Sequence, residues 1–195
     1  MQPQTIARTT GVLFLLTFAT SIPALLLFDP ILRDGGVATY LAGEGHDTRI
    51  FLGATLELLL ILANVATSLV LYPVLRRQSR MLALGYVAVR VVECTFIAVG
   101  LLGILAVVTL RQDAAGTDPA TLGLVGQALV AVKDWSFLLG PGFVVGIGNG
   151  LLLGTLLYRS RLIPRQLALF GLIGGPLVCT SGILVLFGAL ELGGG

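Results

Sequence analysis

"RIFLGATLELLLILANVATSLVLYPVLRRQSRMLALGYVAVRVVE", residues 49–93, reads as an oily segment, a short basic loop and a second oily segment. A helix needs about 20 mostly apolar residues to cross a hydrocarbon core ~30 Å thick, since each residue rises ~1.5 Å. Residues 50–72 and 81–110 both meet that requirement. The loop Pro73–Arg80 is short, so the two segments form an antiparallel helical hairpin. Within this oil sit Glu57, Asn64, Arg90 and Glu93. Charged groups at such depth are expensive and generally face a bundle interior or a wet cavity.

Outward from the hairpin the chain stays apolar. Its 195 residues have a mean hydropathy of +0.99 and are 11% charged, against roughly 25% in soluble domains. A soluble fold of this size has nowhere to hide so much apolar surface, so the bilayer is the solvent. Three further segments qualify as spans, at about 10–28, 135–158 and 166–190. The first ends in "LLLFDP" with no small-residue cleavage site, which makes it a retained anchor and not a cleaved leader. The third span, 81–110, is long and must tilt or extend beyond the lipid. Residues 119–133, "PATLGLVGQALVAVK", are apolar but interrupted and too short to span, and read as an interfacial helix on one surface. The expected architecture is therefore an all-α polytopic membrane bundle of five spans plus that short helix, in one domain covering 1–195.

Loop charge sets the orientation. Arg8, Arg76, Arg77, Arg80, Arg159, Arg161 and Arg165 alternate onto one side, with no acid among them. The other side carries Arg33, Arg49, Arg111 and Lys133 against the acids Asp29, Asp34, Glu44, Asp47, Asp113, Asp118, Asp134 and Glu191. The positive-inside rule counts basic residues and places the N-terminus in the cytoplasm. The excess of arginine over lysine points to a GC-rich bacterial genome, and hence to the bacterial cytoplasmic (inner) membrane.

Counting ~1.5 Å per residue from the cytoplasmic ends puts Arg90 ~13 Å deep, Asn64 ~12 Å and Asn149 ~13 Å, with Glu93 at ~18 Å and Glu57 at ~22 Å. These five residues are the candidate intramembrane cluster. Two readings stand side by side: a polar clasp that fixes helix packing, and a site that binds substrate or carries protons. Arg90 and Glu93, at i and i+3, are neighbours on one helix and neutralise each other locally; Glu57 needs Arg90 or a proton.

"GPGFVVGIGNGLLLG", residues 140–154, sets Gly142, Gly146, Gly150 and Gly154 at four-residue spacing. Such a stripe admits another helix backbone at close range. The partner is either a helix of this chain or a second membrane protein, a copy of this chain included.

Several chemistries lack their residues. His46 is the single histidine, too few for a two-histidine zinc site or bis-histidine haem ligation. "EGHDTR", 44–49, reads as a solvated loop, and Cys94 and Cys179 as small buried hydrophobes. No phosphate loop or zinc-protease motif occurs, so no catalytic residue, metal or cofactor is assigned. The net charge of +2 with no dense basic patch excludes nucleic acid as a partner, leaving the lipid bilayer.

The stretches "ARTTGVLFLLTFATSIPALL", the hairpin quoted above, "VKDWSFLLGP" and "LLYRSRLIPRQLALFGLIGGPL" together resemble the domain of unknown function 4386 family, uncharacterised bacterial multi-pass membrane proteins. The basic loop "YRSRLIPR" is the most specific part. The resemblance implies an integral membrane protein with no assigned activity, and implies that Arg49, Glu57, Arg90, Glu93, Asp134, Arg159, Arg161, Pro164 and Arg165 occupy the family's polar positions. Members often continue into a further hydrophobic segment, whereas this chain stops at "LELGGG"; the resemblance thus implies a missing sixth helix or a shorter variant.

Three function classes remain. One is a small transporter with Arg90 as anion or carboxylate partner and Glu57 or Glu93 as proton-linked group. Another is a structural or accessory membrane subunit, and the third, with least support, a membrane-embedded enzyme.

Overall fold

The computed structural model describes residues 3–43 and 45–190. Glu44 and Glu191, counted above among the loop acids, lie outside the described residues, as does the rest of the "LELGGG" end beyond Leu190. Among the described residues seven α-helices run in chain order: α1 Pro3–Leu32, α2 Gly36–Leu41, α3 Asp47–Leu75, α4 Arg80–Gln112, α5 Pro119–Phe137, α6 Gly154–Ser160 and α7 Arg165–Leu186. Between α5 and α6 the backbone winds as a π-helix over Leu138–Val144 and Gly146–Leu153. Five of the resulting rods are long and apolar enough to cross a membrane. The protein is an all-α polytopic bundle.

One expectation is corrected. Residues 119–133 are not a separate surface helix: Pro119–Ser160 forms one continuous rod of 42 residues. Lys133 and Asp134 break the apolar run only if both meet lipid. Lys133 is instead 4% exposed, turned into the bundle against an acid of α3, so the helix continues through it.

Local signals fix the helix ends. Ser79 caps α4, its Oγ accepting from the Leu82 amide at 3.3 Å, and Asp118 caps α5 ahead of Pro119, accepting from Thr121 N at 3.0 Å. Arg161 stops α6 with a left-handed φ of 55°. Inside α1, Pro30 cannot donate to the Leu26 carbonyl, and Arg49 Nη2 of α3 does so at 2.7 Å.

The packing order is a row: α1 lies along α3, α3 along α4, α4 along the long fourth rod, and that rod along α7. Two apolar cores sit at opposite ends. One gathers Phe28, Ile31, Tyr40, Ile50 and Ile104; the other gathers Leu75, Ala83, Tyr86, Leu153 and Leu156. At the first end Arg111 fastens the α2–α3 loop, donating to Asp47 Oδ1 (2.7 Å) and to the carbonyls of Gly43 (3.1 Å) and Gly45 (3.0 Å). Its guanidinium also covers the Tyr40 ring at 4.6 Å. Burial, and then a 2.5 Å hydrogen bond to Asp47, push the Tyr40 phenol up to about 12.

Glycines set the α7 contact. A Cβ on Gly150 would lie 2.4 Å from Gly175 Cα, and one on Gly146 2.8 Å from the Gly175 carbonyl oxygen. Gly154 faces Leu172, whereas a Cβ on Gly142 would meet nothing closer than a carbonyl of its own helix at 3.6 Å. Gly146 and Gly150 thus meet a second glycine pair, Gly171 and Gly175, within the same chain.

Candidate functional site

The five polar residues divide into two groups. Arg90 Nη1 bonds Glu93 Oε2 at 2.5 Å, one turn along α4, and Arg90 Nη2 reaches Asn64 Oδ1 on α3. Asn64 Nδ2 closes the triangle on Glu93 Oε1 at 3.5 Å. All three side chains are buried. The i, i+3 pair neutralises charge locally, and Asn64 ties it to the neighbouring helix.

Glu57 belongs to the second group. Its Oε1 accepts from Lys133 Nζ, which comes from the fourth rod and also lies 5.3 Å from the centre of the Phe28 ring. Lys133 reaches across α4 because α4 is bare at that point: a Cβ on Gly100 would lie 2.8 Å from Lys133 Cδ and 2.2 Å from Ser136 Oγ. The sequence reading placed Lys133 in a loop and so missed it. One signal was available: it is the sole lysine among twelve basic residues, and a buried Glu57 lacked a partner.

Asn149, expected level with Arg90, shares no hydrogen bond with it. The two instead line one cavity of 370 Å³. Its floor is α3 and α4, with Glu57, Asn64, Arg90 and Glu93; one wall is α1, with Phe14, Phe18 and Leu25; the other is the fourth rod, with Lys133, Phe137, Val145 and Asn149. α1 packs along α3 and not along the π-wound segment, so among the described residues no helix closes the trough between the two walls. π-winding is rare and is often found at functional sites. Here it supplies the wall that bears Asn149.

Not every polar atom on this trough is satisfied. Glu57 Oε2, Asn149 Oδ1 and Arg90 Nε are buried without a hydrogen-bond partner. Buried groups of this kind are rare, because each forfeits its hydration without replacement.

The basic loop residues gather at the end of the bundle shared by the N-terminus of α1, the α3–α4 turn and the α6–α7 turn. Arg76 caps α3 and Arg77 follows it, while Arg80 opens α4. Arg159 and Arg161 end α6, and Arg165 opens α7 beneath the Tyr158 ring at 5.2 Å.

The model of a family described as Domain of unknown function (DUF4386) matches residues 9–192. The chain belongs to the DUF4386 family. No curated protein and no solved structure matches it. The match runs from α1 through α7, so both walls and the floor of the trough lie within the DUF4386 domain.

Proposed function

We propose that this DUF4386 member is a small transporter-like protein whose intramembrane trough binds substrate. The observation that carries the reading is the pair of orphaned oxygens, Glu57 Oε2 and Asn149 Oδ1, both belonging to residues that line the trough. A purely architectural clasp gains nothing from leaving polar atoms buried and unbonded. A binding site does, because ligand atoms complete them.

The trough holds two cations, Arg90 and Lys133, and two acids, Glu57 and Glu93, already matched in pairs. A charged substrate therefore has to displace one partner of a pair. The one-sided grouping of Arg76, Arg77, Arg80, Arg159, Arg161 and Arg165 supports a cytoplasmic N-terminus, and the arginine-rich composition a bacterial inner membrane.

The test uses single cysteines at Ser21 and Val145, on opposite walls, in a Cys94→Ala/Cys179→Ala background. Transport requires water access during the cycle, so both positions should react with membrane-impermeant thiol reagents. Inert cysteines in a well-folded protein would sink the transport reading. The second reading, a structural or accessory subunit, is favoured by the closed Arg90–Glu93–Asn64 triangle, which satisfies most of its own bonds. It requires a stoichiometric membrane partner on purification.

A further inference from the structure

Resting on that transport-type reading, we infer that the trough's ligand is a neutral amphiphile: one apolar chain carrying a small hydroxyl head. Charge decides the first point. Arg90 is matched by Glu93 and Lys133 by Glu57, so a ligand without net charge enters and leaves no buried ion stranded. A cation or an anion displaces one partner of a pair and exposes the other in a low-dielectric site.

The orphaned atoms decide the head. Glu57 Oε2 and Asn149 Oδ1 accept, and Arg90 Nε donates. Glu57 is 8% exposed and Arg90 3%, so solvent offers neither a substitute. A hydroxyl has one proton to donate: it accepts from Arg90 Nε and donates to Asn149 Oδ1, the acceptor counted at the depth of Arg90, without a change of charge.

The walls decide the body. Phe14, Phe18, Ile22 and Leu25 of α1 face the trough, and Phe137 and Val145 face it from the opposite rod. Among the described residues no helix packs over the side between α1 and the π-wound segment, so in a bilayer the chain of a membrane-dissolved molecule slides in sideways while its head reaches the polar floor. A volume of 370 Å³ suits one small molecule of this kind and not a two-chain lipid.

The experiment presents the purified protein in lipid nanodiscs with a diazirine-bearing 1-dodecanol and maps the crosslinks by mass spectrometry. Crosslinks are expected on α1 and the π-wound segment, competed by 1-dodecanol better than by dodecanoate or dodecylammonium. Asn149→Leu removes an oxygen that has no partner, so the fold should persist while labelling falls about tenfold, the worth of one hydrogen bond to a desolvated acceptor. Val145→Trp, which fills the trough, should abolish labelling if Asn149→Leu proves poorly folded. Preference for dodecanoate or dodecylammonium overturns the neutral head and leaves the transport reading intact. Absence of labelling that any of the three competitors reduces, with the trough cysteines reactive, overturns the amphiphile. Absence together with inert cysteines overturns both readings.

Discussion

Lys133 of the fourth rod is ion-paired with Glu57 of α3 across 76 positions of sequence, and both side chains are buried. The pair ties α3, part of the floor of the trough, to the fourth rod, one of its walls. Removing either member leaves an uncompensated charge in a dry site, which is the costly way to break a buried pair.

Lys133→Met alone is therefore expected to destabilise the bundle by ~3–5 kcal/mol, and Glu57→Leu/Lys133→Met to recover a large part of that loss. Denaturant titration in mixed micelles, followed by circular dichroism, measures both. A double variant as unstable as the sum of the singles would show that the two groups are not coupled.

The glycine contact with α7 makes a position-specific prediction. Gly150→Ala forces a methyl group against Gly175 and should cost ~1–3 kcal/mol through overpacking, whereas Gly142→Ala, which meets only open space and its own helix, should change stability little. Thermal unfolding of the two variants side by side separates them. Equal midpoints would argue that α7 does not dock on this face.

Arg49 and Pro30 are linked through a single carbonyl. Because Pro30 withholds the donor that Leu26 O would otherwise receive, Arg49→Met should cost ~1–3 kcal/mol, as for a hydrogen bond from a charged donor. Pro30→Ala returns an amide to that carbonyl, so the same Arg49→Met change in a Pro30→Ala background should cost less. An undiminished cost would mean that Arg49 acts elsewhere.

Tyr40, outside the spans in α2, gives a pH signature. Its phenol is held up to about 12 in the folded protein against 10.0 when free. The folded state keeps that proton more tightly, so the associated stability is fully present below about pH 10 and is lost as pH rises toward 12. Ultraviolet titrations of the protein and of Tyr40→Phe should superimpose to about pH 11 and part by one phenolate only toward pH 12. A difference of one phenolate already complete by about pH 11 would sink the prediction.

Hydropathy along the chain was sufficient for the five rods and the α3–α4 hairpin, because the bilayer imposes a length and a polarity on each span independently. The Arg90–Glu93 pair was equally legible, since an i, i+3 spacing on a helix is a contact whatever surrounds it. The glycines at 142, 146, 150 and 154 announced a close helix approach, but not that Gly171 and Gly175 would supply the facing surface, nor that Gly142 would stand apart.

What the tertiary structure alone decided concerns rotation about helix axes. Depth counting brought Asn149 level with Arg90, yet placed no constraint on which way either turned, and the two meet only as separate linings of one trough. Lys133 read as a loop charge because its neutralising partner lies on another helix. Gly100 opens the path between them, and a glycine reveals nothing of that until α4 is packed. Composition and local spacing determine where a membrane chain turns helical; interhelical packing determines which of its few charges are ends and which are interior, and here it moved one lysine from the surface to the centre of the site.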